Sequence, residues 1–356
     1  MNNIKVREDF RRDGLAANFL VGGEQIKYLA KALPGSIINI GYPGICSEEY
    51  KSCEEILNLA NGNGAELSVV GHMTKAHVDL LLNITKSHFG VSANTWLPIS
   101  DYFIKKTFNE HPETILNKAE QLIRYWKNNT NAPIDVALTD VTAQEKGLDL
   151  RTANWAEKLI RAGARNIILC DTRGIGVPEN LDLLFSQTKL NSETTEFHPH
   201  NDNGLALQNV NVAIKHGINV IGSSIYGAGE RRTMLDTISL ESLGLNVDKS
   251  SYALFEESYK SIIVDPIKNI EQVLGKGVVA TGTQYRLRGR DKSLKKIFGV
   301  TSDRYILGEL LNIPREELSE KYLEILKNNL LYKLRNIYFE GADLKNKIGE
   351  YKCKNL

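Results

Sequence analysis

The segment Phe197-His198-Pro199-His200-Asn201-Asp202-Asn203-Gly204-Leu205-Ala206 sets two imidazoles two residues apart where a β-rich run meets a helical pattern. Side chains at i and i+2 of a strand share one face, so His198 and His200 can converge on a single divalent cation. A bare H-x-H also reads as two strand-end histidines with no ligand. The turn that follows favours the metal reading. Asn-Asp-Asn-Gly opens a helix whose apolar face runs through Ala206, Val210, Ala213 and Ile214 to Gly217.

Other polar clusters stand where β-rich runs end. Arg12-Asp13-Gly14 follows the first run, and a carboxylate there can complete an oxygen-plus-nitrogen set with the two histidines, suited to Mg²⁺, Mn²⁺, Co²⁺ or Zn²⁺. Arg12 could stabilise charge growing on a substrate oxygen. The same tripeptide also reads as a loop turn with a surface ion pair. Asp171-Thr172-Arg173-Gly174 ends the sixth run, where Asp171 either orients a ligand or holds its loop by hydrogen bonds, the second being favoured. The eighth run leads into Tyr226-Gly227-Ala228-Gly229-Glu230-Arg231-Arg232, whose glycines and cations could seat a phosphorylated cofactor or acid. A tight turn with a Glu-Arg pair is the plainer alternative.

The elements that must position these groups recur along the chain. Short β-rich runs at 4–6, 36–40, 66–70, 87–91, 134–139, 166–170, 194–197 and 219–223 alternate with helical patterns such as 113–126, 152–162 and 205–216. Eight β/α units over residues 1–265 predict a TIM (β/α)8 barrel, near the roughly 250 residues typical of that fold. Residues 266–356 change to mostly helical segments at 267–274 and 315–328, with a Gly- and Arg-rich stretch at 275–290. They read as a small helical subdomain that either extends the packing, builds a dimer interface or covers the site.

Composition narrows the partners. The 44 basic and 43 acidic side chains nearly cancel, which argues against general nucleic-acid or membrane binding and for small-molecule substrates. Cys46, Cys53, Cys170 and Cys353 lack metal-ribbon spacing, and so few thiols fit a reducing, cytoplasmic setting. The first residues lack the apolar core of a signal peptide, and no apolar run approaches the ~20 residues that span a bilayer.

Taken together, these motifs resemble the DRE-TIM metallolyase superfamily, in particular its acyl-CoA-dependent isopropylmalate, homocitrate and citramalate synthases. The similar pieces, in chain order, are Arg12-Asp13-Gly14, Gly41-Tyr42-Pro43, Asp171-Thr172-x-Gly174 with Pro178, the His198-x-His200-Asn201-Asp202-x-Gly204-Leu205-Ala206 run and Gly227-x-Gly229-Glu230-Arg231. The resemblance covers about residues 4 to 240 and implies that Asp13, His198 and His200 bind the metal. It implies that Arg12 stabilises an enolate or alkoxide oxygen and that Gly227, Gly229 and Arg231 help seat acetyl-CoA. It further implies a homodimer in which the helical subdomain closes over a partner's barrel.

Several positions depart from the synthase pattern. Leu15-Ala16 replace a Glu-Gln pair, Asn39 stands for a carboxylate on the second strand, and Met234 takes the place of an Asn near the metal. A thioether is a poor ligand for a hard cation. Gln284 occupies the place of a proton-transferring His and cannot act as a base. Lys146, His72 and Arg286 are candidates to compensate. Lys146, Asn39, Thr195 and Asp202 are the expected substrate contacts; His72, His88 and Glu230 are the candidate bases.

The resulting expectation is a metal-dependent Claisen-type condensation of acetyl-CoA with a 2-oxo acid, giving a 2-hydroxy-2-substituted dicarboxylate and CoA. Arg232 and Lys146 point to an acceptor with a second anionic group, such as 2-oxoglutarate or a phosphonate analogue. The alternatives are a metal-dependent C–C lyase or aldolase on the same scaffold, and a non-catalytic diverged paralogue.

Overall fold

The structure is a computed structural model that describes residues 4–14, 20–143, 145–188, 190–229, 231, 234–262, 278–279, 295–296, 302–331 and 343–348. Leu15, Ala16, Glu230, Arg232, Gln284 and Arg286, and the expected helix at 267–274, lie outside the described residues. Eight parallel strands close into a barrel in chain order: β1 (Lys5–Glu8), β2 (Ile37–Asn39), β3 (Glu66–His72), β4 (Ser92–Pro98), β5 (Ile134–Thr139), β6 (Ile167–Asp171), β7 (Thr195–Pro199) and β8 (Val220–Ser223). β1 pairs with both β2 and β8, which closes the ring.

Alternation along each strand divides its residues between two environments. Val6, Ile38, Leu67, Val69, Ala93, Val136, Leu138, Leu169, Phe197 and Ile221 are buried in one large apolar cluster with the surrounding helices. The helices supply matching stripes. In α6 (Pro112–Asn129), Ile115, Leu116, Ala119, Ile123 and Trp126 are buried and Pro112 opens the first turn. In α4 (Lys75–Ser87), the buried set is Val78, Leu81, Leu82, Ile84 and Thr85.

The fourth strand corrects one sequence expectation. Residues 87–91 are not a strand: α4 continues its apolar stripe to Ser87, and Gly90 turns the chain at a φ of +80° before β4 begins at Ser92. A short apolar run beside a glycine is ambiguous by periodicity alone. The shift moves Trp96 to the top of β4, inside the barrel.

The barrel interior is largely polar, with a small apolar cluster of Ala137, Ile168 and Cys170 on β5 and β6. Arg7 on β1 donates to Glu196 on β7 at 2.6 and 2.8 Å and to Asp135 on β5 at 2.7 Å, and Arg165 joins Asp135 to Glu66 on β3. Burial works against Arg7's charge, while Glu196 and Asp135 hold its pKa above the ordinary value. Removing Arg7 would leave the buried carboxylates of Glu196 and Asp135 short of a cation, and breaking a buried pair in this way costs about 3–5 kcal/mol. This layer forms a floor beneath the C-terminal ends of the strands.

Two helices of the C-terminal part, α11 (Arg304–Leu311) and α12 (Glu320–Leu326), follow α10 (Lys249–Ile262). The expected helix at 315–328 is in fact a 3-10 turn at Arg315–Glu317, then α12, then a π-helical turn at Lys327–Leu331. Leu307, Leu311, Leu323 and Leu326 pack with Leu20, Tyr42 and Val70, so these helices sit at the mouth of this chain's own barrel. Among the described residues, no helix is long and apolar enough to cross a membrane.

Glu8 ties the first strand to the loop after the eighth. One of its oxygens accepts the N–H groups of Phe10 at 2.8 Å and Ile225 at 3.0 Å; the other meets the Thr237 hydroxyl, which lies 2.9 Å from Ser223 Oγ. Burial outweighs these hydrogen bonds and pushes the Glu8 carboxyl from 4.5 up to about 8. A protonated Glu8 donates to Thr237, freeing the threonine hydrogen for Ser223. Between about pH 4.5 and 8 the folded chain keeps a proton that the unfolded chain has lost, so stability falls as pH rises, by at most ~1.4 kcal/mol per unit. Glu8→Gln reproduces the protonated pattern. Urea unfolding at pH 5, 6.5 and 8 should show the variant gaining on the parent as pH rises, and parallel curves would refute the assignment.

Candidate metal centre and cavity

Glu196, His198 and His200 follow one another at period two along β7, so all three point into the barrel. Glu196 belongs to the ionic floor, and the histidines stand above it with ring centroids 5.3 Å apart. Asp13 reaches the same point from the end of the one-turn helix α1 (Phe10–Asp13). Asp13, His198 and His200 each offer a ligand atom within 4.8 Å of the others, and all three are buried.

The donor set is arranged for a cation. His198 Nδ1 hydrogen-bonds Asp9 Oδ2 at 3.2 Å, which leaves Nε2 facing Asp13 Oδ2 at 3.6 Å. Asp13 Oδ2 and His200 Nδ1 are buried polar atoms with no hydrogen-bond partner. Such orphaned atoms cost free energy unless something binds them, and a carboxylate with two imidazoles suits Mg²⁺, Mn²⁺, Co²⁺ or Zn²⁺. Burial pushes the His200 pKa well below its ordinary value, aided by Arg231, His198 and Arg12, so the ring is neutral and able to ligate. Burial raises Asp13, opposed by Arg12. Burial would raise Asp9 too, yet the bond from His198 holds it below the usual carboxylate range.

Support comes from neighbouring strands. Asn39 at the end of β2 donates to Asp9 Oδ1 at 2.5 Å and lies 3.5 Å from Arg7. On β8 a side chain at Gly222 would put its Cβ 2.4 Å from His198 Nδ1. Arg12 pairs with the other oxygen of Asp13 and lines the cavity, which has a volume of about 370 Å³.

The structure gathers some expected site residues and separates others. Arg12, Asp13, His72, His198 and His200 all line this cavity. Asn39 is buried and holds Asp9 instead of facing the cavity. Thr195 opens β7 at the opposite end of the barrel, where its hydroxyl bonds the Asn191 carbonyl at 2.7 Å. Lys146 is exposed in a separate groove beside Asp149 and Asn180. Asp202 and Arg231 are directed to each other: Arg231 is fully buried, 3.2 Å from both Asp202 oxygens, and donates to the Thr172 carbonyl at 2.7 Å. Their pairing fixes the loops after β6, β7 and β8. Gly227 accepts from Met234 N at 2.9 Å, and a Cβ on Gly229 would lie 3.6 Å from that of Asp13, so this loop runs against the metal ligands. Met234 forms a one-residue backbone bridge with His200, placing its main chain beside that candidate ligand. Asp171 accepts from Thr142 and from the N–H groups of Ile175 and Gly176, the loop-holding arrangement favoured from sequence.

Two features escaped the sequence reading. Asp9 stands two residues after Arg7, so period two on β1 could have placed it inside. The aromatic wall of Tyr42, Trp96, Phe103 and Phe108 was hidden by the misplaced fourth strand. His72 at the end of β3 borders that wall, its ring 5.0 Å from that of Trp96. Although the side chain is exposed at the rim, desolvation of the ring among its aromatic neighbours, then His77 and Arg12, lowers its pKa to about 4.

Comparison with known proteins agrees with this layout. The HMGL-like family model matches residues 12–252. Homocitrate synthase of Saccharolobus islandicus (strain L.S.2.15 / Lassen #1) is 28% identical over 211 residues, covering 57% of this chain and 44% of that protein. The chain thus spans less than half the length of that relative. The 2-isopropylmalate synthase of Halothermothrix orenii is 23% identical over 378 residues, covering 95% of this chain and 72% of that protein. In fold, the HMG-CoA lyase of Brucella melitensis is similar with a TM-score of 0.61 at 19% identity, covering 73% of this chain and 100% of the lyase.

His198→Ala and His200→Ala should each abolish stoichiometric divalent metal measured by elemental analysis after dialysis. Asp9→Asn, which leaves the three ligands in place, should weaken Mn²⁺ binding by about 10–100-fold in calorimetry. Gly222→Ala should lower affinity in the same assay, because the new methyl displaces His198. Undiminished binding in all of these variants would exclude the centre.

Proposed function

Because the chain belongs to the HMGL-like family, we propose that it catalyses a divalent-metal-dependent condensation of acetyl-CoA with a 2-oxo acid. The reading is carried by one observation: a buried carboxylate and two neutral-capable imidazoles converge within 4.8 Å, with the Arg12 guanidinium on the same carboxylate. The synthase relatives support the choice of reaction. A cation held by Asp13, His198 and His200 would supply Lewis-acid polarisation of the acid's carbonyl.

The chain's own residues account for the rest. Asp9 fixes the His198 tautomer through Nδ1. Arg12 has donors beyond the one paired to Asp13 and a charge that burial does not remove, since Asp13 and Asp9 keep its pKa above the ordinary value. It can therefore stabilise negative charge on the acceptor oxygen without reorganising at the moment of reaction. Of the candidate bases, His88 bonds the Ile84 carbonyl and Asn58 at the end of α4, away from the cavity, and Glu230 lies outside the described residues. His72 lines the cavity in its neutral form, so it is the group assigned to take the acetyl methyl proton. The enolate carbon would then attack the carbonyl carbon of the acid, the alkoxide formed would take up the proton held by His72, and water would cleave the thioester to a carboxylate and free CoA, which makes the sequence irreversible.

A second reading is favoured by the likeness in fold to HMG-CoA lyases: the same centre would cleave a C–C bond instead of forming one. The two are separated by a thiol-release assay with acetyl-CoA and a panel of 2-oxo acids, with and without EDTA. Release that requires both acid and metal is the expected result; cleavage of a hydroxy acid without such release selects the lyase. Arg12→Ala should lower kcat by about 10²–10³-fold. If His72 is the base, kcat should stay level from pH 8 to 6, because an imidazole titrating at about 4 remains neutral where an ordinary one at 6.5 begins to protonate. A loss of half the rate by pH 6.5 would remove His72 from that role.

A further inference from the structure

The cavity over the metal ligands has two unlike sides. Asp13 comes from α1, just after β1, and the two histidines from the C-terminal end of β7; in a barrel closed in chain order β3 stands four strands from β7, directly across the mouth. That far side is aromatic. Trp96 at the top of β4 stacks on Phe103 of α5 (Asp101–Thr107), with centroids 6.2 Å apart and planes at 26°, and meets Phe108 edge-on at 6.3 Å. The indole N–H of Trp96 is engaged by the Tyr42 hydroxyl at 3.3 Å, so the wall turns ring faces and edges to the cavity. Trp96 and Phe108 also border a second cavity of about 530 Å³ between α4 and α6, which leaves their rings room to shift.

Charge argues in the same direction. The described cations bordering the main cavity are Arg7 and Arg12; Arg7 is already paired with Glu196 and Asp135, and Arg12, held by Asp13, has its remaining donors on the metal side. A second anionic group on the acceptor, directed away from the metal, would lose its water among aromatic rings, the neutral Asn94, Thr107 and Thr139, and the carboxylate of Asp303, none of which neutralises its charge. Lys146, from which such a group was expected, faces a different groove.

We propose that the acceptor is a 2-oxo acid bearing an aromatic ring, its carboxylate and carbonyl at the metal side and its ring against Trp96, Phe103 and Phe108. Ring-on-ring contacts in offset or edge geometry favour an aryl group over an alkyl chain of equal area. The inference rests on the synthase reading for the reaction but concerns the binding step alone.

Calorimetric titration of phenylpyruvate, pyruvate and 2-oxoglutarate into the Mn²⁺-loaded protein tests it. Phenylpyruvate should bind at least about tenfold tighter than either other acid. Trp96→Ala and, separately, Phe108→Ala should weaken phenylpyruvate at least about fivefold and leave pyruvate, which lacks the ring, unchanged. Phe108 is 37% exposed at the end of α5, so its variant carries the comparison should Trp96→Ala fail to fold. Equal or tighter binding of 2-oxoglutarate, no binding of phenylpyruvate, or equal losses for pyruvate and phenylpyruvate would overturn the proposal. Thiol release with acetyl-CoA separates the two claims. Tight phenylpyruvate binding without release sinks the synthase reading and leaves the ring pocket standing; release with 2-oxoglutarate alone does the reverse.

Discussion

The hydrogen bond from His198 Nδ1 to Asp9 sets the geometry on which the centre depends. It fixes which nitrogen of the imidazole is left for a ligand, and it joins β7 to the loop after β1. Asp9 is itself held by Asn39 from β2. On the other side, the absence of a side chain at Gly222 lets the ring lie flat against β8. Four of the eight strands thus cooperate to place one nitrogen atom.

Beneath the centre, an ionic network occupies much of the barrel beside the small apolar cluster of Ala137, Ile168 and Cys170. Arg7, Glu196, Asp135, Arg165 and Glu66 satisfy one another in a network that crosses from β1 to β7, β5 and β3. A buried network of this kind is weak evidence for stability, since apolar residues of equal volume can serve as well. Its consequence is geometric. Bidentate contacts between Arg7 and Glu196 fix β1 against β7, and so the start of the turn that carries Asp13 against the strand that carries His198.

Above the centre, the loops after β6, β7 and β8 are locked by Arg231, which is buried between Asp202 and the Thr172 carbonyl. The Gly-x-Gly-Glu-Arg motif therefore includes an arginine that works as an internal clamp. Its two glycines lie where the chain passes close to Asp13 and Met234. The helices at 304–311 and 320–326 close the apolar rim on this chain's own Tyr42 and Val70. Polar ligands on one side of the mouth and rings on the other give a cavity able to orient an amphipathic molecule.

Much of this was legible in the sequence. Seven of the eight expected β-rich runs coincide with strands and the fourth is displaced to Ser92–Pro98, so the β/α alternation still specifies the barrel, because alternation and 3.6-residue periodicity are local properties. The i, i+2 spacing of His198 and His200 specifies a shared face, and the motif order brings in Asp13. Distance along the chain hides the remainder. Asp9 and His198 stand 189 positions apart, and no local pattern announces their bond. Arg231 and Lys146 look like equally available cations in sequence, yet one is consumed by Asp202 and the other faces a different groove. Residue type and spacing determined which groups could bind a metal and on which strands they stand. Tertiary packing alone decided which of the charged groups are neutralised by a neighbour and which side of the mouth is aromatic, since burial and pairing depend on strands that meet only when the barrel closes.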